Sequence, residues 1–148
     1  MGDLSGKTAF ISGASKGIGA AIAKAMAAAG ARVAVNYSSD ANGAHAVVRA
    51  IREAGGSAVA VKGDVAKDGD VKRMFAEATA AFGPIHTLVN NAAAYDLAAL
   101  EDITESEFHR HFNVNVLGPI MMAQEALKHF GPGASIINVS SAIVLTPA

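Results

Sequence analysis

Thr8-Ala9-Phe10-Ile11-Ser12-Gly13-Ala14-Ser15-Lys16-Gly17-Ile18-Gly19 runs from a short apolar stretch through a glycine-rich turn, and an alanine-rich segment follows directly. An apolar run of this length that ends in a turn is a buried strand, and the alanines behind it form a helix. The unit is strand, loop, helix. Glycine at 13 permits a tight turn, and glycines at 17 and 19 let backbone and helix come close to a ligand and to a sheet. The first N–H groups of the helix then face an anion, which the helix dipole also favours. A dinucleotide pyrophosphate matches this cradle best. Its spacing, G-x-x-x-G-x-G, differs from the G-x-G-x-x-G of most dinucleotide folds and from the G-x-x-x-x-G-K-[ST] of a P-loop. No lysine followed by serine or threonine closes it, so nucleoside triphosphate hydrolysis is disfavoured.

The same unit recurs along the chain. Ile18, Ala21, Ile22, Ala25, Met26 and Ala29 repeat at helical spacing, with Gly30 at the capping position. Residues 32–36 read as a second strand, and Ala44, Val47, Val48, Ile51 and Ala54 as the stripe of a second helix closed by Gly55-Gly56. Residues 57–62 form a third strand; Val71, Met74, Phe75, Ala78 and Phe82 mark a third helix, stopped by Gly83-Pro84. A fourth strand is expected at 86–90, a longer helical region at 105–130 and a fifth strand at 134–140. Strands that alternate with helices pair in parallel, because each parallel neighbour needs a crossover, and right-handed crossovers cover both sheet faces. The expected fold class is α/β, a Rossmann-like doubly wound parallel sheet with helices on both faces. Ligands of such sheets lie outside the carboxyl ends of the strands.

Composition narrows the function. The chain has 148 residues, 51% hydrophobic and 17% charged, which suits a single folded domain over 1–148. A net charge of −1 offers no basic footprint for nucleic acid and no polybasic patch for a membrane. There is no cysteine, hence no disulfide or thiolate chemistry, and Met1-Gly2-Asp3-Leu4 does not resemble a signal peptide. A cytoplasmic protein is expected. Gly6 stands where a myristoylation signal needs serine or threonine. His109 and His111, two apart on a helix, point away from each other, so no metal site is expected and the five histidines read as surface residues.

Five motifs occur in a fixed order: Gly13-Ala14-Ser15-Lys16-Gly17-Ile18-Gly19, Asp64-Val65, Asn90-Asn91-Ala92-Ala93, Asn115 in Asn-Val-Leu-Gly, and Asn138-Val139-Ser140-Ser141. Together they resemble the short-chain dehydrogenase/reductase family, and its ketoacyl-reductase-like members in particular. The resemblance implies a nicotinamide-dependent oxidoreductase that moves a hydride between cofactor and a carbonyl or alcohol substrate. It implies that Gly13, Gly17, Ile18 and Gly19 line the pyrophosphate, that Asp64 and Val65 hold the adenine, and that Asn91, Ala92 and Ala93 border the ribose near the nicotinamide. Ala93 stands where the family usually has glycine. The five strands are then the first five of a larger sheet.

The end of the second strand bears on the choice of cofactor. Asn36-Tyr37-Ser38-Ser39 carries no Asp or Glu at its tip to accept from a ribose 2′-hydroxyl. Three hydroxyl-bearing residues can donate to phosphate oxygens instead, and the Lys16 ammonium lies on the adenosine side with Ser15 beside it. NADP(H) is therefore preferred, with NAD(H) the alternative if Asp40 serves a 2′-hydroxyl.

The chemistry needs a polarised carbonyl and a proton donor. By resemblance, Ser141 holds the substrate oxygen and Asn115 is the active-site asparagine. Pro119 gives Asn115 a separate argument, because proline has no N–H to offer the Asn115 carbonyl, so the helix should bend and leave that acceptor free. The family's Tyr-x-x-x-Lys is expected about a dozen residues after Ser141, and neither Tyr37 nor Tyr95 has a lysine four residues on. The chain thus reads as the amino-terminal part of an enzyme, inactive by itself, whose full-length form is a homodimer or homotetramer. A non-catalytic dinucleotide-binding or regulatory module is the competing reading.

Overall fold

The structure, a computed structural model, describes residues 3–141. Five strands, β1 (Thr8–Ile11), β2 (Arg32–Tyr37), β3 (Ser57–Lys62), β4 (Ile85–Asn90) and β5 (Phe130–Asn138), form one sheet in the order β3-β2-β1-β4-β5. Every neighbouring pair is parallel. The helices are α1 (Gly17–Ala28), α2 (Ala41–Glu53), α3 (Asp68–Phe82), α4 (Glu105–Phe112) and α5 (Gly118–His129). This is the doubly wound α/β arrangement expected. The strand order reverses at β1, where β2 lies on one side and β4 on the other, and such a reversal opens a crevice at the carboxyl ends.

Side chains alternate across a strand, and the alternation builds two cores. Ala9, Ile11, Val33 and Val35 point to the face covered by α1 and α2, where Ala23, Val47, Val48 and Ile51 meet them. Phe10 and Ala34 point the other way, onto Val71, Met74, Phe75 and Ala78 of α3 and Met122 and Ala126 of α5. The Phe10 and Phe75 rings stack with centroids 4.8 Å apart.

Three elements depart from the expected pattern. α1 buries Gly19, Ala20, Ala23 and Ala27, while Ile18 is 65% exposed. An alanine-rich helix is apolar all round, so spacing does not select its face; close approach to the sheet does, and it takes the smallest residues. The region 105–130 is not one helix. Pro119, at the second position of α5, has no N–H for the Asn115 carbonyl, and residues Asn113–Leu117 widen into a π turn in which the Gly118 N–H reaches back to the Asn113 carbonyl. Phe130 leaves the helix to open β5, whose register against β4 shifts between Ile85 and Thr87 before regular pairing holds at Ser135↔Thr87. The strand ends at Asn138 rather than at residue 140.

Three histidines differ from the expected surface placement: His86, His111 and His129 are half-buried and bonded. An imidazole can accept and donate at once, which suits it to the seams between elements. His129 stacks on Phe75 and lies 3.2 Å from the buried Glu125. The Lys128 ammonium bonded to Glu125, with His129 beside it, holds that carboxyl below its ordinary value.

The His86 Nδ1 accepts the Thr8 N–H at 3.2 Å, joining β4 to the start of β1. Burial, with Lys7 and Arg32 nearby, lowers its pKa below 6.5. The unfolded chain therefore takes up a proton near pH 6.5 that the folded chain refuses, and stability present above that pH is lost as pH falls through it. The urea midpoint should decline between about pH 7.5 and about pH 5.5. His86→Gln should flatten that slope; an unchanged slope would remove His86 as its source.

Candidate active site

The carboxyl ends of β1 to β4 are stitched together by a few polar groups. Ser12, buried at the end of β1, donates its N–H to the Val89 carbonyl at 3.0 Å. Its hydroxyl oxygen accepts the Asn91 and Ala92 N–H groups at 2.9 and 3.0 Å. The Asn91 amide donates to the Ser12 and Gly13 carbonyls at 3.1 and 3.0 Å. From the other side, the buried Asn36 Oδ1 accepts the Gly13 N–H at 3.0 Å, and its Nδ2 donates to the Val61 and Gly63 carbonyls at 3.2 and 3.1 Å. The glycine turn is thus clamped between β2 and β4. Gly13 adopts φ +62°, and a Cβ there would lie 2.8 Å from the Ala92 Cα.

Above this floor lies a cleft of about 530 Å³. Gly13, Ser15 and Lys16 line it from the turn, Asn36, Tyr37, Ser38 and Ser39 from the end of β2, Asp64 and Val65 from beyond β3, and Asn91, Ala92 and Ala93 from beyond β4. Gly17, Ile18 and Gly19 form the first turn of α1 behind it, and no side chain among the described residues caps that helix at Lys16. Its leading N–H groups are available to an anion. Asn36 lines the cleft as expected, and its amide is also bonded to the frame. Asp40 caps α2 by accepting the Gly43 N–H at 3.0 Å, which occupies one carboxylate oxygen. Asp64 is held by its own loop: its N–H donates to Asp70 at 2.9 Å and its Oδ1 accepts the Ala66 N–H at 2.9 Å. That Asp64 N–H, with Arg73, keeps the Asp70 carboxyl below its ordinary value.

Asn115 stands beside a second, more apolar cleft of about 350 Å³ that shares Ala94 with the first. Its amide clasps the Ala94 backbone, accepting the N–H and donating to the carbonyl, both at 2.8 Å. The π turn is thereby pinned to the loop after β4. Ser141 lies just past the end of β5, where Asn90 Nδ2 donates to Asn138 Oδ1 at 2.9 Å and the Val139 N–H to the Asn90 carbonyl at 2.9 Å. The turn, Asn91, Asn115 and Ser141 all belong to the carboxyl-end side of the sheet. Sequence reasoning missed Ser12, Gly63, Arg110 and Val114. The last two are four apart on one helical face, which is a legible spacing, but nothing local says that this face meets the cleft. Among the described residues no cluster of three or more His, Asp or Glu side chains is arranged to hold a metal ion.

These groups fit a dinucleotide: an uncapped helix N-terminus for paired phosphates, hydroxyls and an ammonium near the end of β2, and an open groove across the strand ends. Known proteins agree on the type. An uncharacterised oxidoreductase of Methylorubrum extorquens is 51% identical over 149 residues, covering 99% of this chain and 60% of that protein. A dehydrogenase/reductase from Sinorhizobium meliloti superposes with TM-score 0.94 at 40% identity, over 99% of this chain and 58% of its own. A short chain dehydrogenase from Burkholderia cenocepacia, solved in complex with NADP, gives TM-score 0.93 at 39% identity, over 98% of this chain and 59% of its own. The chain spans about 60% of the length of these relatives. Since the short chain dehydrogenase family model matches residues 7–148 as well, this chain belongs to that family.

Proposed function

We propose that this chain is a single dinucleotide-binding unit carrying part of the catalytic face of an NADP(H)-dependent oxidoreductase that transfers a hydride between nicotinamide and a carbonyl or alcohol substrate. The observation that carries the reading is the one cleft in which the glycine turn, the β2 hydroxyls, Asp64-Val65 and Asn91-Ala92-Ala93 converge. When bound, the nicotinamide supplies or accepts the hydride. The chain's own groups position it. The first turn of α1 holds the pyrophosphate, Asp64 and Val65 the adenine, and the Asn91 amide keeps the turn in shape. Asn115, relieved of its usual helical donor by Pro119, offers a carbonyl to a water on the proton path, and the Ser141 hydroxyl holds the substrate oxygen.

Lys16, Ser38 and Ser39 favour a 2′-phosphate, and no acid occupies positions 37–39. The NADP bound to the Burkholderia relative supports the same choice. None of the 148 residues supplies a tyrosine with lysine four positions later, so this polypeptide by itself is expected to take up the dinucleotide without turning over. In the full-length enzyme we expect a second copy against the exposed Phe108, Phe112, Val116 and Ile120 of α4 and its continuation, in a cytoplasmic homodimer or homotetramer. No helix among the described residues is long and apolar enough to cross a membrane.

Titrating the chain with NADPH and with NADH, read by nicotinamide fluorescence, tests the proposal. NADPH should bind the tighter. Equal or tighter NADH binding would remove the 2′-phosphate assignment, and uptake of neither would remove the dinucleotide reading.

A further inference from the structure

Lys16 and Arg110 are the two cationic side chains that line the cleft, and only Lys16 belongs to the glycine turn. Arg110 comes from α4, one turn before Val114, which packs on the core cluster that contains Val65. The start of α5 presses on the same residue, since a Cβ on Gly118 would lie 2.9 Å from Val65 Cγ2. The turn that follows α4 therefore lies on the Asp64-Val65 side of the cleft, and Arg110 lines the same cleft from the last turn of α4 before it.

Two neighbouring residues of α4 fasten the loop after β4 at a single point. The Arg110 guanidinium pairs with the Asp96 carboxylate, and the Asp96 N–H donates to His111 Nε2 at 3.1 Å. His111 Nδ1 lies 2.7 Å from the Glu107 carbonyl, which only accepts, so the ring proton sits on Nδ1 and Nε2 is left as an acceptor. Asp96 is thus gripped at both backbone and side chain. The Arg110–Asp96 pair is half-exposed, and exposed ion pairs add little to stability. Its consequence is positional: one carboxylate holds the guanidinium at the rim of the cleft.

We propose that Arg110 is a further cofactor-binding residue, its planar guanidinium packing against the adenine of the dinucleotide, with Asp96 as the positioning residue that holds it there. The inference rests on the dinucleotide reading of the cleft. A guanidinium is planar, weakly hydrated and able to stack on an aromatic face, which an ammonium is not. Among the lining residues Tyr37 is the one aromatic side chain, and it belongs to β2 rather than to α4.

Dissociation constants of the wild-type chain, Arg110→Ala, Arg110→Lys and Asp96→Asn for NADPH and for 2′,5′-ADP test this, with thermal unfolding beside them. Arg110→Ala should weaken both ligands by about three- to thirtyfold and to the same degree, because the lost contact is with the adenosine half. Arg110→Lys should recover little of this, and Asp96→Asn should lose less than Arg110→Ala in the same direction, all at an unchanged midpoint of unfolding. Unaltered 2′,5′-ADP binding in Arg110→Ala, or full recovery with lysine, would overturn the proposal while leaving the cofactor reading intact. A wild-type chain that bound neither ligand would overturn both.

Discussion

Gly19→Ala should abolish measurable dinucleotide binding and destabilise the chain by about 2–6 kcal/mol. The added Cβ would lie 2.3 Å from the Gly13 carbonyl oxygen and 2.5 Å from Asn91 Nδ2, closer than real atoms pack. The first obstacle is backbone in a turn clamped by Asn36 and Asn91, so it has little room to yield. Relief requires either α1 to lift from the sheet or the Asn91 amide to release the Ser12 and Gly13 carbonyls. Overpacking of this kind costs about 1–3 kcal/mol, and two lost hydrogen bonds add about 0.5–1.5 kcal/mol each. Either response also displaces the helix N–H groups from the cleft. Gly17→Ala is the matched comparison, since Gly17 has φ +56° but nothing within 4 Å of its Cβ position. It carries backbone strain alone, about 1–2 kcal/mol. Urea unfolding and NADPH titration of both variants check the argument; equal losses would show that strain rather than contact governs the turn.

The frame of this fold was legible because its signals are local. Glycines past the ends of α1, α2 and α3, apolar stripes in α2 and α3, and the strand-turn-helix opening are written in consecutive residues. Cleft residues that follow a strand were legible for the same reason, since the strand's end fixes where they go. What escaped depends on contacts between distant segments. The face of α1 is chosen by how closely it nears the sheet. Pro119 announced an orphaned carbonyl at Asn115, yet the π turn that results also involves Gly118 fitting against Val65, more than fifty positions away. Ser12 falls between the apolar run and the glycine turn with no local signal of its own, and its hydroxyl matters only because the segment after β4 delivers two N–H groups to it. Asn36 lines the cleft as its place at the end of β2 predicts, but its bonds to backbone groups of the turn and of β3, the role an amide takes when it is buried between strand ends, were not legible.

Ser38→Asp should reverse the preference between the two nicotinamide dinucleotides. Ser38 is exposed at the end of β2 and lines the cleft, so the change leaves the core untouched and should alter stability by no more than about 0.5 kcal/mol. A carboxylate there repels a 2′-phosphate and accepts from a free 2′-hydroxyl, so one substitution acts on the two cofactors with opposite sign. Like charges brought together in a binding site cost several kcal/mol, and each 1.4 kcal/mol is about tenfold in affinity, so NADPH should weaken by about a hundredfold or more. NADH should tighten. Lys16→Ala separates the two halves of the argument, because it removes an attraction without adding a repulsion: NADPH should weaken by about tenfold with NADH unchanged. Salt gives an independent check, since the penalty in Ser38→Asp lies at an exposed site and should shrink as ionic strength rises past about 0.15 M. Parallel loss of both dinucleotides in Ser38→Asp would mean that the end of β2 meets some part of the ligand other than its 2′ position.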